Sequence, residues 1–225
     1  MGILSNLFCS KKKSKEEIKS VLQDITCKPM IYEALSKLKY KKICEVGIRV
    51  GANFKNLMKM NPNLAVAVDS WREIGDKPEN NDVDFSQEDL DSQYKEFKAQ
   101  WGKHKNVKIV RNLSIEAAKQ FDDEYFDYIY IDAAHTYEEV KNDLIAWYPK
   151  VKTGGILAGH DYLADERVWR GTICGVKKAA DEFAKENNLS IDHVIDKNNT
   201  GPKKWTDDEP FDTEYFPSFF IIKQN

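Results

Sequence analysis

The sequence lacks the features that mark several specialised classes of protein. Its 225 residues include only four cysteines, which are Cys9, Cys27, Cys44 and Cys174. No two of them form a C-x-x-C pair, which argues against a disulfide framework or a zinc site. No apolar run approaches the ~20 residues that a membrane-spanning helix needs. We therefore expect reduced thiols, a cytoplasmic location and no membrane partner.

An excess of basic charge is also missing. The chain has 34 Lys and Arg against 37 Asp and Glu, which gives a net charge of −3. This balance provides no general attraction to nucleic acid, and we expect no nucleic-acid partner. A hydrophobic content of 41% is typical of a globular protein. We predict an N-terminal helical extension at 1–40, followed by a single domain at 41–225.

The dinucleotide fingerprint G-x-G-x-x-G is absent from the stretch 41–51, KKICEVGIRVG. Read from Gly47, it would require glycines at positions occupied by Arg49 and Ala52, which disfavours a nicotinamide oxidoreductase. The pattern present is E-x-G-x-x-x-G, and it begins at Glu45. It follows an apolar run and precedes a helical pattern, so we interpret it as the strand, turn and helix that open a nucleotide-binding α/β domain.

Short apolar runs alternate with helical patterns along the rest of the chain, which indicates a parallel sheet covered on both faces. The last strand follows a non-helical connection, which favours an antiparallel edge. We therefore predict an α/β fold, namely a Rossmann-like, doubly wound, mostly parallel seven-stranded sheet with an antiparallel C-terminal edge strand. The predicted strands lie at about 42–46, 64–68, 107–111, 126–131, 155–159, 191–195 and 218–223.

Polar residues follow the predicted strands, where ligands bind in open α/β sheets. Asp69 follows the second strand, and a carboxylate there can accept hydrogen bonds from both hydroxyls of a ribose. Two of the four histidines fall in this set. The remaining strand-end candidates are Asn112, Ser114, Asp132, His135, His160 and Asp161.

Two helix starts are predicted beside these residues. Ser114 is a suitable N-cap, and Thr136 with Glu139 matches a capping box. The second helix would then begin directly after His135, which favours this histidine over His160 as a side chain facing the site.

The stretch 129–162, IYIDAAHTYEEVKNDLIAWYPKVKTGGILAGHDY, resembles the signature of a family of class I S-adenosylmethionine-dependent methyltransferases. Members carry an Asp, a His-x-Tyr helix start, a Gly-Gly turn and a His-Asp-Tyr end. The segments EVGIRVGAN, AVDSW and GVKKAADEFAKEN are similar to the same family. The resemblance covers about residues 41–190.

This resemblance implies an enzyme with S-adenosylmethionine as cofactor. It implies that Asp132 and His135 face the transferred methyl group, with His160 and Asp161 on the substrate side. The other implied cofactor contacts are Glu45, Gly47 and Gly51 at the methionine part, Asp69 at the ribose, Ser70 and Trp71 at the adenosine, and Asn112 to Ser114 at the adenine.

Two chemistries are left open for the transfer, which we expect to methylate a hydroxyl of a small molecule or sugar. In the first, His135 or His160 is a general base, because histidine titrates near neutral pH. In the second, Asp132, His160 and Asp161 hold Mg²⁺ or Mn²⁺. Ala134 and His160 stand where clearly metal-dependent relatives carry acids, which puts magnesium in doubt.

A non-catalytic domain that binds the cofactor or a partner is the alternative function, because Ala133 and Ala134 replace residues that relatives often carry as Gly and Asp. The sequence leaves the oligomeric state open, with a homodimer as one option. The polar segments at 72–86 and 196–217 are expected to build the acceptor pocket.

Overall fold

The computed structural model describes residues 12–73, 85–163, 168–169, 172–195 and 217–224. The predicted acceptor segments at 72–86 and 196–217 lie largely outside these residues, and Cys9 lies wholly outside them.

Seven of the strands in the described residues form one sheet, in the order β3-β2-β1-β4-β5-β9-β8, and β6 pairs with β7 in a separate two-stranded sheet. Strands β1 to β5 run parallel. The bounds are β1 (Lys42–Val46), β2 (Leu64–Asp69), β3 (Val107–Arg111), β4 (Phe126–Ile131), β5 (Val151–Gly159), β6 (Val168–Trp169), β7 (Thr172–Ile173), β8 (His193–Ile195) and β9 (Ser218–Ile222).

The predicted fold class is confirmed, including the antiparallel C-terminal strand. Strand β9 lies one place in from the edge, because the short β8 pairs with its outer side. Both faces of β9 are apolar, and all five of its residues are buried. A strand with this composition needs cover on both faces. Phe220 and Ile222 pack into one hydrophobic cluster, and Phe219 and Ile221 pack into a second one.

The strand register brings the candidate residues to one edge of the sheet. Val46 pairs with Val68 and with Ile131, and Ile131 pairs with Gly159. The residues just beyond these positions therefore leave the sheet at the same level.

Helices cover both faces of the sheet, and within the described residues none is long and apolar enough to cross a membrane. The helices are α1 (Lys15–Gln23), α2 (Ile31–Ser36), α3 (Ala52–Leu57), α4 (Gln87–Trp101), α5 (Ser114–Ala118), α6 (Tyr137–Trp147) and α7 (Val176–Glu186). Short 3₁₀ turns lie at Lys28–Met30, Met58–Met60 and Tyr148–Lys150.

The N-terminal segment, which we define as residues 15–38, packs into the main core. Ile18, Leu22, Ile31 and Leu35 are fully buried in the same cluster as β1 and α3. Helices α5, α6 and α7 pack in a second cluster, with the alternate residues of the strands. The segment thus contributes to one of the two cores, while the domain division at residue 40 stays a prediction.

Candidate active site

A cavity of about 1060 Å³ opens at the carboxyl ends of the parallel strands. Its wall combines the ends of β1, β2, β4 and β5 with the starts of α5 and α6. It brings together ten of the residues predicted from sequence, which are Glu45, Gly47, Asp69, Ser70, Asn112, Ser114, Asp132, His135, His160 and Asp161. Gly51 and Trp71 are not among its lining residues.

The glycine turn passes very close to the end of β4. Gly47 has φ +90°, and a Cβ there would lie 2.0 Å from the carbonyl oxygen of Asp132 and 2.7 Å from Cα of Ala133. A side chain is excluded by both the backbone angle and the space. The contact sets the distance between the turn and Asp132. Gly51 has a different constraint, because its Cβ would lie 2.6 Å from the ring of Phe97 in α4.

Asp69 holds the glycine turn through main-chain hydrogen bonds, an arrangement that we call the Asp69 clamp. Its Oδ2 accepts from the N–H groups of Ile48 at 2.8 Å and Arg49 at 2.7 Å. Its Oδ1 accepts from the N–H of Trp71 at 2.7 Å. Trp71 itself is 1% exposed, and its indole donates to the carbonyl of Arg49 at 2.9 Å. It therefore supports the turn from behind the cavity wall.

A buried hydrogen-bond chain lies beneath the start of α5. Leu113 is the N-cap of this helix, so the prediction that Ser114 would be the N-cap is wrong. The Ser114 hydroxyl instead donates to Asp143 Oδ1 at 2.5 Å and accepts from Trp147 Nε1 at 2.8 Å. Burial raises the pKa of Asp143 to about 6. Bonding to a buried carboxyl uses the hydroxyl that capping would have needed.

Four side chains form what we call the His–Asp cluster, which comprises Asp132, His135, His160 and Asp161. His135 Nε2 lies 2.7 Å from Asp161 Oδ2 and 4.0 Å from Asp132 Oδ1. His160 Nδ1 lies 3.3 Å from Asp161 Oδ2 and 3.5 Å from Asp132 Oδ1. Each aspartate therefore contacts both imidazoles. Thr136 caps α6 directly after His135, as the sequence predicts, and its side chain accepts a hydrogen bond from the N–H of Glu139.

The side chains of this cluster shift one another's pKa values toward the charged forms. Burial alone would lower the pKa of His160, but the carboxylates of Asp132 and Asp161 raise it to about 9. The pKa of His135 is also raised, because its contact with Asp161 outweighs burial. Burial opposes ionisation of Asp161, but the two histidines hold the pKa of that carboxyl well below its usual range. At neutral pH the cluster therefore favours ionised aspartates beside a protonated His160.

Asp161 carries two further signs of a functional residue. Its φ is +56°, a left-handed conformation that is uncommon for a residue other than glycine. It is 1% exposed, and its Oδ1 has no hydrogen-bond partner within the described parts of the chain. Backbone strain and an unsatisfied buried carboxylate oxygen both cost stability, and such costs concentrate at binding and catalytic sites.

The sequence profile of the family described as "Methyltransferase domain" matches residues 44–162, which is more than half of the chain. The chain belongs to this family. The prediction of a class I S-adenosylmethionine-dependent methyltransferase is thereby confirmed.

Solved structures of other methyltransferases share the fold. The SAH-bound methyltransferase PaMTH1 of Podospora anserina has a TM-score of 0.56 at 14% identity, over 95% of this chain and 81% of that one. The O-methyltransferase NovP has the same score and identity, over 92% and 81%. A Staphylococcus aureus protein provisionally assigned as a caffeoyl-CoA O-methyltransferase has a TM-score of 0.55 at 14% identity, over 94% and 93%. No curated protein matches the sequence.

Sequence reasoning missed several polar residues of this methyltransferase that line the cavity, and Asp143, Lys28, Tyr32 and Asn53 are four of them. Asp143 lies on α6, while Lys28, Tyr32 and Asn53 lie on or beside helices that precede or follow β1. The Tyr32 hydroxyl donates to Asn53 Oδ1, which ties α2 to α3. None of the four directly follows a strand, so the prediction, which considered polar residues at the ends of strands, could not find them. Lys28 stands directly before Pro29, a position that gives no sequence signal of a binding role.

Glu45 is the buried acid of the same wall. It is 1% exposed, and burial raises its pKa to about 8, although a hydrogen bond with Asn53 partly offsets this. Its Oε2 has no hydrogen-bond partner among the described residues. The methyltransferase therefore presents a largely protonated carboxyl at neutral pH beside the glycine turn.

Proposed function

We propose that this methyltransferase transfers the methyl group of S-adenosylmethionine to a hydroxyl oxygen of a small molecule or sugar. The observation that carries the proposal is the 2.7 Å contact between His135 Nε2 and Asp161 Oδ2 at the cavity wall. A hydroxyl acceptor must lose a proton during transfer, and an imidazole paired with a carboxylate is suited to accept one.

The cofactor fits the part of the cavity that includes the Asp69 clamp. Asp69 Oδ1 accepts one main-chain hydrogen bond, so it retains capacity to accept from a ribose hydroxyl. Glu45 and Gly47 would border the methionine part, and Asn112, Ser114 and Asp143 the adenine. Ser70 lines the cavity beside Asp69, which supports its predicted place at the adenosine.

S-adenosylmethionine supplies a methyl group that its sulfonium already activates as an electrophile. The residues of the chain need only hold the acceptor oxygen in line with that methyl carbon and exclude water. When the cofactor is bound, it would supply the methyl group, whose carbon–sulfur bond would break as the carbon–oxygen bond forms. The His135 imidazole would accept the hydroxyl proton. Asp161 would stabilise the resulting imidazolium, and the 3.3 Å contact with His160 would hold Asp161 in place.

A divalent cation is the second way to activate the hydroxyl, and the residues present fit one. Asp132, His135 and Asp161 each offer a donor atom, and these atoms lie within 4.8 Å of one another. His160, predicted as a ligand, contacts both aspartates. Mixed carboxylate and imidazole donors suit Mn²⁺ better than Mg²⁺, which prefers oxygen ligands. When bound, the ion would lower the pKa of the acceptor hydroxyl.

Calorimetric titration with S-adenosylmethionine tests the cofactor, with NAD⁺ as the control. We expect saturable binding of the former only. A screen of hydroxyl acceptors with a labelled methyl group then tests the reaction, with and without a chelator. Activity that survives exhaustive chelation would exclude the metal route and leave His135 as the base. Cofactor binding without turnover of any acceptor would favour the non-catalytic alternative.

A further inference from the structure

Lys28 lies in the cavity wall beside the His–Asp cluster, although it belongs to the N-terminal segment and precedes the residues that the family profile matches. It is 9% exposed. A lysine is almost never buried to this degree unless its charge is paired. Its surroundings therefore determine whether it has a structural or a binding role.

The protein neutralises Lys28 only weakly. Its Nζ lies 4.0 Å from Asp132 Oδ2 and 5.8 Å from the centre of the Tyr130 ring. Within the described residues it makes no hydrogen bond, although an ammonium offers three donors. Asp132 is also shared with His160 at 3.5 Å. The ammonium thus retains donors for a ligand in the cavity.

Packing holds Lys28 in place independently of Asp132. It opens the 3₁₀ turn Lys28–Met30, and α2 follows at once with Ile31 and Leu35 fully buried. Tyr32, one turn further on, is bonded to Asn53 of α3. The backbone on the C-terminal side of Lys28 is therefore anchored to the core, and the side chain stays at the cavity wall when Asp132 engages another partner.

We propose that Lys28 binds a carboxylate of a ligand in this cavity, which makes the N-terminal segment part of the binding site. The inference rests on the proposed function. The cofactor of that function carries a carboxylate on its methionine part, and an acceptor can carry one beside its hydroxyl. Both sources offer charge-assisted hydrogen bonds to the ammonium, and the experiment separates them.

The first arm compares two ligands that differ in the amino-acid part. S-adenosylhomocysteine carries the carboxylate, and 5′-methylthioadenosine lacks it. In calorimetric titrations, Lys28→Gln should weaken binding of S-adenosylhomocysteine by about tenfold or more, as expected for a lost bond to a charged group. Binding of 5′-methylthioadenosine should change less than about twofold. This pattern assigns Lys28 to the cofactor carboxylate.

The second arm uses protein saturated with S-adenosylhomocysteine. It titrates 3,4-dihydroxybenzoate and catechol, two diols that differ by one carboxylate. A loss of affinity in Lys28→Gln for 3,4-dihydroxybenzoate but not for catechol assigns Lys28 to an acceptor carboxylate.

Lys37→Gln is the matched control, because it removes the same charge from the same segment at a side chain that is 61% exposed. It should change neither arm, while Lys28→Arg should keep most of the selective affinity. Equal losses for ligands with and without the carboxylate would overturn the proposal, as would no change in either arm. Failure of the wild-type protein to bind either cofactor-derived ligand would instead overturn the proposed function, and this inference with it.

Discussion

The Asp69 clamp and the His–Asp cluster place carboxylates at the same edge of the sheet, yet they hold them in opposite ways. Asp69 accepts three hydrogen bonds from main-chain N–H groups at 2.7 to 2.8 Å. Asp132 and Asp161 are held by two imidazoles at 2.7 to 4.0 Å. The position of Asp69 is therefore fixed by main-chain groups. The interactions of Asp132 and Asp161 depend on whether the two imidazoles are protonated.

This difference suits the two regions to different tasks: the Asp69 clamp to binding a ligand, and the His–Asp cluster to reacting with it. A carboxylate fixed by the main chain offers the same acceptors whatever its neighbours do, which suits a cofactor contact. A set of coupled acids and bases can take up and release a proton, which suits the reacting end of the cavity. Substitutions at the two places should therefore change different measured quantities.

The largest effect is expected at the His–Asp cluster. His135→Ala should lower kcat by roughly a hundredfold to ten-thousandfold, the usual range for a general base, with little change in the Kd of S-adenosylhomocysteine. Steady-state kinetics and calorimetry check the two quantities. His104→Asn is the control, since His104 is exposed and stacks on Trp101. Equal losses in kcat and in cofactor affinity would remove the distinction between the two regions.

The clamp should show the reverse pattern. Asp69→Ala leaves the N–H groups of the glycine turn without their acceptor and removes the proposed contact with the ribose. We expect the Kd of S-adenosylhomocysteine to rise by about tenfold to a hundredfold, from ~1.5 to 3 kcal/mol for hydrogen bonds to a charged group. At saturating cofactor, kcat should stay close to the wild-type value. A kcat that falls while Kd is unchanged would contradict this assignment.

The pH dependence of stability should come from the cluster and from the buried Glu45, whose pKa is raised from 4.5 to about 8. The pKa of His160 is about 9 in the folded protein, above its ordinary value of 6.5. A group whose pKa rises on folding stabilises fully below the unfolded pKa, and this contribution is lost as pH rises through the folded pKa. In buffer with a chelator, the free energy of unfolding should therefore fall by roughly 1 to 3 kcal/mol between pH 6.5 and 9.

His160→Gln should be less stable than wild type at pH 6.5, and its curve should be flatter over the same interval. Denaturant titrations at several pH values measure both properties. His104→Asn should keep the wild-type slope. A His160→Gln slope equal to that of wild type would mean that another group controls the pH dependence.

The smallest effect is expected beneath α5, where Ser114→Ala leaves Asp143 and the Trp147 indole without their shared partner. We expect a loss of about 1 to 2 kcal/mol in the free energy of unfolding, because an unsatisfied buried polar group costs this much. Cofactor affinity should fall only a few-fold. Ser92→Ala, on the exposed side of α4, is the control and should change stability by less than about 0.5 kcal/mol. Equal effects of the two substitutions would show that the buried chain contributes nothing.

Sequence reasoning located the clamp and the cluster by one rule, namely that parallel strands end at one edge. The rule found Asp69, Asp132, His135, His160 and Asp161 because each follows a strand or opens the next helix. It could not supply their distances, which depend on how closely the glycine turn approaches the end of β4. A Cβ at position 47 would lie 2.0 Å from the Asp132 carbonyl oxygen, so only glycine permits this approach. The rule also could not distinguish Trp71 from the residues that line the cavity. Trp71 follows β2 as Ser70 does, but its side chain lies behind the cavity wall.

The residues that the rule missed come to the cavity through tertiary packing. Lys28 and Tyr32 precede β1 by more than a turn of helix, and only the docking of α2 against α3 brings them to the wall. Asp143 lies on α6, and in the sequence it cannot be told from the many acidic residues that lie on the exposed faces of helices. The burial of β9 on both faces had a visible signal in the sequence, because its apolar residues alternate onto both faces.

That place has a consequence for the order in which the protein can be made. Among the described strands, β8 pairs only with β9 in the sheet, and β9 is the later of the two to leave the ribosome. Until it emerges, the outer edge of β5 is unpaired and β8 has no strand to join. The nascent chain can thus form the five parallel strands before β9 is available. During that time the outer edge of β5 can pair with strands of other chains. Final closure of the sheet should follow the emergence of β9.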